Sequence, residues 1–255
     1  MKSFFLFLIS VFYSSSSFSS GTIGILHGDK TITYTALFDT DVKYIESKTG
    51  VILKNKKVYS LDDEVLKKDE DVLELKERVL NNRLSRARKN VTTTREGLKK
   101  GFLAESDLDE AEQSLYELII QEKENRKNID VLNKKKSHLS LTVPGYFIIR
   151  NSFVYCNAYL KAGDDIVTVE FLNTLQVDVK TDPVQFSALK TGSDITWRSL
   201  VSNKSGAGKV SYIKQDDDIT SGFKKVVVSI PDEWREELIN LVDTPFEVIF
   251  DDKTH

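Results

Sequence analysis

A charged stretch from about Ser60 to His138 carries apolar residues at helical spacing and contains no proline. Its first half repeats apolar residues every seven positions, and its second half places them three and four apart. Such repeats are typical of paired helices rather than strands. Residues 60–138 are therefore predicted to form a long antiparallel α-helical hairpin. The repeat of the first half comprises Val65, Val72 and Val79, with Leu66, Leu73 and Leu80 one residue later.

The limits of the two helices follow from a glycine and from polar start signals. Gly101 lies where the first helix should end, since glycine readily adopts the left-handed conformation that closes a helix. Ser106 with Asp109 predicts the start of the second helix, because a serine cap and a nearby acid satisfy free N–H groups. Ser60 with Asp63 predicts the start of the first helix in the same way.

Each predicted helix opens with acidic residues and ends with basic ones. Antiparallel packing would set these opposite charges side by side. The same distribution also complements each helix dipole, and each such charge would stabilise its helix by about 0.3 to 1 kcal/mol. At about 1.5 Å per residue each helix would reach roughly 50 Å. We therefore expect the hairpin to project from the rest of the chain.

Composition limits the classes of function. The chain has 255 residues and a formal net charge of -3, so no basic surplus indicates a nucleic-acid partner. Cys156 is the single cysteine and cannot form an internal disulfide. With three histidines and no evident nucleophile with its base, the sequence predicts neither an enzyme, a cofactor nor a metal site.

The first twenty residues resemble a cleavable signal peptide. Lys2 precedes an apolar run, Phe4 to Tyr13, which is followed by a serine-rich segment with small residues at the cleavage positions. The run is too short for a spanning helix, which needs about twenty residues. We therefore predict a signal peptide at residues 1–20 and a mature protein outside the cytoplasm.

Two short β segments, residues 21–59 and 139–174, flank the predicted hairpin. His27-Gly28-Asp29 is interpreted as a turn between two strands, and Asn55 and Pro144-Gly145 as further turns. Neither segment is large enough to be stable alone, so the two are expected to pair and bury their apolar faces together.

Residues 175–255 read as a further β domain with about five strands and one short helix, which suits a small β-barrel. Ala207-Gly208 is interpreted as a turn that precedes a strand. Pro231 predicts the start of the helix Asp232 to Val242, because proline is favoured at the first helical position.

This order of segments resembles the membrane fusion proteins, the periplasmic adaptors of tripartite efflux and secretion pumps, including the haemolysin-secretion type. The resemblance implies a β plus α fold: a lipoyl-like barrel-sandwich hybrid interrupted by the hairpin and followed by the small β-barrel. The segments similar to the family are Gly50 to Asp62 and Val143 to Val169 in the sandwich, and Gly208 to Ile213, Asp216 to Asp218, Thr220 to Gly222 and Val226 to Pro231 in the barrel.

The connection between the helices resembles the tip motif of the family, which has an arginine, a leucine four residues later and a serine eleven residues after the arginine. Arg95 and Ser106 keep the separation, whereas Lys99 stands at the leucine position and Leu98 comes one residue early. The resemblance implies that the tip binds a partner through Arg95, Leu98, Lys99, Gly101, Phe102, Ser106 and Asp109.

The function implied by the resemblance is a periplasmic adaptor that links an inner-membrane transporter to an outer-membrane channel. In the family such adaptors assemble with copies of themselves, usually as hexamers, and they carry no cofactor. A secreted or periplasmic binding or adhesion module with a coiled-coil stalk is the alternative that the sequence leaves open.

Overall fold

The computed structural model describes residues 21–182, 189–215 and 223–250. It combines a large antiparallel sheet with helices. The strands are β1 (Thr22–Thr35), β2 (Thr40–Ile45), β3 (Ile52–Leu61), β4 (Ser140–Ser152), β5 (Tyr159–Leu160), β6 (Asp165–Thr181), β7 (Asp194–Ser199), β8 (Ser205–Gln215), β9 (Lys224–Ser229) and β10 (Pro245–Phe250). The helices are α1 (Glu64–Lys99), α2 (Glu105–Ser137) and the short α3 (Arg235–Leu238), which lies between 3₁₀ turns at Asp232–Trp234 and Ile239–Leu241.

The chain divides into two compact units. The helix-bearing unit comprises Lys30–Phe171 and contains α1 and α2. The C-terminal unit comprises the residues up to Asp29 together with those from Leu172 onwards. Because β1 and β6 each cross a boundary between the units, both strands contribute residues to both.

The helix-bearing unit is built on the pairing of β3 with β4. β3 leads into the start of α1, and the end of α2 leads into β4. Both strands contain consecutive buried residues, Val58-Tyr59 on β3 and Phe147 to Ile149 on β4, so these parts of the strands are covered on both faces. Val58, Phe147, Ile149 and Ile166 are fully buried in this core. The paired strands therefore hold the start of α1 and the end of α2 together.

The predicted turns at Asn55 and at Pro144-Gly145 are wrong, because β3 and β4 continue through them. Asn55 and Gly145 adopt positive φ angles of 48° and 75°. The backbone N–H of Gly145 donates to Oδ1 of Asn55 at 2.8 Å, and the strand register shifts between Lys54 and Lys56. These residues form a bulge that the two strands share, so signals typical of turns here mark an irregularity within paired strands.

Two further predicted turns are also wrong. β1 runs unbroken through His27-Gly28-Asp29, and β8 already contains Ala207-Gly208. Gly206 is required by packing, since a Cβ there would lie 2.6 Å from the Trp197 ring. The connection to β8 comes earlier, where Asn203 takes a φ of 56°.

The core of the C-terminal unit forms around Trp197, which is fully buried on β7. Its ring makes edge contact with Trp234 at 5.2 Å between centroids and lies 5.9 Å from Phe246 on β10. Its indole N–H donates to the carbonyl of Ala207 at 3.1 Å. The predicted helix after Pro231 is present as α3 and its flanking turns, and it brings Trp234 to this core.

A charged cluster also stabilises the C-terminal unit. The Asp178 carboxylate on β6 lies 2.9 Å from Nε2 of His27 on β1 and 2.6 Å from Nζ of Lys225 on β9. Burial raises the pKa of Asp178, but hydrogen bonds from His27 and Lys225 outweigh burial and bring it down to about 2. The ionised carboxylate therefore holds three strands together.

We expect Asp178→Asn to lower the free energy of unfolding of the C-terminal unit by about 2 kcal/mol at pH 5, because the folded state favours ionised Asp178. A depressed pKa gives stability that is present above the unfolded value near 4 and is lost as the pH falls towards 2. The gap in free energy of unfolding between the wild type and Asp178→Asn should therefore narrow as the pH falls from 4 to 2.

Denaturant unfolding followed by tryptophan fluorescence measures this gap, since both tryptophans, Trp197 and Trp234, lie in the C-terminal unit. Asp194→Asn is the matched control, because Asp194 is exposed and lies 3.8 Å from Lys209. A gap that stays constant down to pH 2 would contradict the role given to Asp178.

Candidate functional site: the helix pair and its connection

Helices α1 and α2, here called the helix pair, pack along one narrow seam. The spacing of the buried and half-buried residues alternates between three and four, which keeps them on one face of each helix. The outer faces of both helices are mostly charged and exposed. The buried residues are Leu66, Leu80, Leu84, Val91 and Thr94 on α1, and Ala111, Asn125 and Leu132 on α2.

α1 carries two adjacent apolar rows that differ in burial: the leucine row, Leu66, Leu73 and Leu80, and the valine row, Val65, Val72 and Val79. Leu66 and Leu80 are buried, whereas Val65, Val72 and Val79 remain 68%, 66% and 42% exposed. The prediction that the valines belong to the seam is wrong. Seven residues after Val79 the valine row continues as Arg86, so burying that row would bury a charge.

Polar contacts fix the direction of the pair. Glu70, near the start of α1, accepts a bond from Lys136 at 2.6 Å, and Arg95, near its end, donates to Glu112 at 2.6 Å. Between them the buried side chain of Asn125 donates to the Leu73 carbonyl at 3.2 Å. The helices therefore run antiparallel, and the buried hydrogen bond from the Asn125 side chain favours one register of the seam.

The connection between the helices begins with a left-handed glycine. α1 ends at Lys99, and Gly101 takes a φ of 74°. The N–H of Phe102 donates to the Gly97 carbonyl at 3.0 Å, which closes the helix in the manner predicted for Gly101. Gly97 leaves room for Leu103, since a Cβ there would lie 2.7 Å from a methyl group of that leucine.

The start signals predicted from serine are wrong. α2 begins at Glu105, so Ser106 lies within its first turn, and Asp107 accepts a bond from the Ala104 N–H at 2.9 Å. Ser60 belongs to β3, and α1 begins at Glu64, whose N–H donates to Asp62 at 2.8 Å. An acidic residue occupies each start because carboxylates accept from free N–H groups and favour the positive end of the helix dipole.

The structure leaves most of the predicted tip residues accessible. Phe102 is 80% exposed, and Gly101, Lys99, Ser106 and Asp109 are exposed as well. Leu98 is half-buried towards the seam, and Arg95 is held by Glu112.

Sequence reasoning did not include Leu103, which is 41% exposed and packs on Gly97. The signal that could have identified it is the pair of large apolar residues, Phe102-Leu103, in a short connection between two charged helices.

Neither a cluster of metal-ligating side chains nor a membrane-spanning helix occurs among the described residues. Across residues 21–182, 189–215 and 223–250, no group of three acidic, histidine or cysteine side chains could hold a metal ion. No helix in these ranges is both long and apolar enough to span a membrane. The proposed signal peptide and the motif segments Asp216 to Asp218 and Thr220 to Gly222 lie outside the described residues.

This architecture, a β module interrupted by a long helix pair, is the fold of membrane fusion proteins. The membrane fusion protein Spr0693 from Streptococcus pneumoniae R6 matches with a TM-score of 0.57 and 13% identity, over 91% of this chain and 98% of that one. MacA from Actinobacillus actinomycetemcomitans matches with a TM-score of 0.64 and 13% identity, over 90% and 78% of the two chains.

ZneB from Cupriavidus metallidurans matches with a TM-score of 0.50 and 15% identity, over 90% of this chain and 96% of that one. No protein-family model and no curated protein matches the sequence. The likeness is therefore one of fold.

We expect Leu80→Ala to lower the free energy of unfolding of the helix pair by roughly 2 to 3 kcal/mol, because it removes a leucine that is 3% exposed in the seam. Val79→Ala is the matched control and should change it by less than about 0.5 kcal/mol. Loss of helical circular dichroism in denaturant measures both variants. Equal destabilisation by the two would mean that the valine row also supports the seam.

We expect Asp107→Ala to destabilise the helix pair by about 1 kcal/mol, because it leaves the Ala104 N–H without its carboxylate acceptor. Ser106→Ala should have almost no effect, since Ser106 lies inside α2 rather than at its cap. Thermal unfolding followed by circular dichroism compares them. If Ser106→Ala were the more damaging, Ser106 would be the cap and α2 would begin two residues later than described.

Proposed function

We propose that this protein is a periplasmic adaptor that links an inner-membrane transporter to an outer-membrane channel in a tripartite export system. The observation that carries the proposal is the helix pair, about 50 Å long by its rise per residue, with an exposed phenylalanine at its connection. The fold shared with membrane fusion proteins supports the same reading. The role is mechanical and non-enzymatic, and it uses no cofactor.

Within this proposal the helix pair, Glu64–Lys99 with Glu105–Ser137, is the α-helical hairpin predicted for residues 60–138. It is inserted between two lipoyl-like halves, predicted at 21–59 and 139–174. Residues 175–255 form the small β-barrel domain. The pairing of β3 with β4 supports the insertion, because these strands join the ends of the hairpin. The segment 1–20 is a signal peptide that directs the protein to the periplasm.

The tip of the hairpin binds the channel protein by packing against its helices. Phe102 supplies an apolar side chain that is 80% exposed, and burying it in a partner would gain roughly 2 kcal/mol. Lys99 and Asp109, exposed on the two helices that meet at this connection, provide charges that select the partner. Arg95 positions the end of α1 through Glu112.

The transporter binds the sandwich and barrel domains, which also contact neighbouring copies. The adaptor works as a homo-oligomer, a hexamer by resemblance to the family. Substrate then passes through the assembled ring rather than through a pocket of one chain.

The test is capture in cells that express the protein natively. A photo-reactive amino acid replaces Ser106, with Cys156→Ser in the background to prevent thiol side products. We expect an outer-membrane channel protein to be captured, because Ser106 is exposed beside the tip.

The matched control places the same group at Lys68, an exposed residue near the opposite end of α1. Capture of the channel from Ser106 but not from Lys68 supports docking at the tip. Capture of surface ligands alone, with a monomeric protein outside the cell, would favour the adhesion module with a stalk and overturn the adaptor.

A further inference from the structure

A groove lies along one side of the helix pair, between the middle of α1 and the middle of α2. It encloses about 500 Å³, which is within the range of small-ligand sites, roughly 300 to 1,000 Å³. Leu84 and Ile119 line it with apolar atoms, and Leu84 is buried while Ile119 is half-buried. The polar residues that line it and that bear on its chemistry are Ser85, Arg88, Glu122 and Arg126.

The spacing along each helix brings these residues to one face. On α1, Arg88 lies one turn after Leu84. On α2, Glu122 and Arg126 lie one and two turns after Ile119. The groove therefore combines apolar atoms with charged groups from both helices.

Contacts across the seam set the heights of the residues in the groove. Ion pairs cross from α1 to α2 near each end of the helices. Counting along the helices from these pairs, Ser85 lies level with Glu122 to within about one helical turn of 5.4 Å. These two residues therefore mark the middle of the groove.

Two arginines approach the middle of the groove from opposite ends. Arg88 lies three residues after Ser85, and Arg126 lies four residues after Glu122. Long side chains lean towards the N-terminus of their own helix, and these helices run antiparallel, so the two arginines lean towards each other. Nη2 of Arg126 lies 2.9 Å from Oε1 of Glu122. Both guanidinium groups are therefore directed at the same part of the groove.

The charges in the groove are not balanced. Glu122 pairs with Arg126, whereas among the described residues no carboxylate pairs with Arg88. A guanidinium group presents its N–H donors as a planar fork that fits the oxygen atoms of a carboxylate or a phosphate. An anion between the two arginines would therefore neutralise the surplus positive charge and accept hydrogen bonds from both.

We propose that this groove binds a small organic anion. Charged oxygen atoms of the ligand accept hydrogen bonds from Arg88 and Arg126, and its apolar part packs on Leu84 and Ile119. Charge complementarity selects an anion over a neutral molecule, and the apolar lining selects an organic anion over an inorganic one. The inference goes beyond the proposed adaptor function and does not depend on it, because the tip takes no part in this site.

The experiment uses the full-length protein and two fluorescent probes that differ by one charged group. Anilinonaphthalene sulfonate carries a sulfonate, and phenylnaphthylamine has the same rings without it. The fluorescence of each probe rises when it leaves water, so titration gives its affinity. We expect the sulfonate probe to bind more tightly than the neutral probe, and its affinity to fall as salt is added, since salt screens exposed charges.

Arg88→Ala should lower the affinity for the sulfonate probe about tenfold, because it removes one of the two guanidinium groups. Arg86→Ala is the matched control, since Arg86 is exposed and lies about 200° around α1 from Arg88. The control should leave the affinity for the sulfonate probe unchanged. Neither variant should change the affinity for the neutral probe.

A second variant keeps both arginines and supplies an anion from the chain itself. Ser85→Asp places a carboxylate in the middle of the groove and should lower the affinity for the sulfonate probe by a similar factor. Ser114→Asp is its matched control, because it adds the same charge at an exposed position of α2 outside the groove. Circular dichroism checks that every variant keeps its helices.

Loss of affinity in Arg88→Ala and Ser85→Asp, with both controls unchanged, supports the inference. Equal loss in Arg86→Ala and Arg88→Ala would overturn it, because overall charge would then explain the binding. Equal affinities of the two probes for the wild type, or no binding of the sulfonate probe, would overturn it as well. Capture from Ser106 is a separate measurement in cells, so either proposal can fail while the other stands.

Discussion

The seam between α1 and α2 is the interaction on which the helix pair depends. Each helix is largely charged and packs against the other, so a few leucines and Val91 supply most of the apolar burial. The leucine row forms the seam because the positions that follow it stay apolar or small, whereas the valine row runs into Arg86. Because the leucine row is buried in the seam, the valines of the other row remain exposed and can contact another molecule.

The ends of the helices show how local backbone chemistry prepares a surface. Gly101 closes α1 with its positive φ, and Asp107 accepts the Ala104 N–H as α2 begins. These hydrogen bonds satisfy backbone N–H groups within the connection without using the Phe102 side chain. That side chain is 80% exposed. Under the proposed function, a connection closed by its own hydrogen bonds would lower the conformational entropy lost when Phe102 binds a partner.

Much of the fold was predictable because it rests on patterns of local spacing. Apolar residues three and four apart predict the long helices, and Gly101 and Pro231 mark helix limits that the structure contains. The turns at Asn55 and Pro144-Gly145 could not be separated from bulges by sequence, since both use residues that tolerate positive φ. Only the pairing of β3 with β4 shows that each strand continues through these residues. The Gly145 N–H donates to the Asn55 side chain across the bulge.

The sequence by itself determined where helices can form, how their charges are distributed and which residues lie at the connection, because these depend on neighbours within a few positions. Tertiary structure decided which of two adjacent rows faces the partner helix, since Leu80 and Val79 are both good apolar candidates until α2 selects one. It likewise decided that Ser106 is a surface residue rather than a cap. The physical reason is that burial depends on the whole helix length and on the opposing surface, which no local pattern contains.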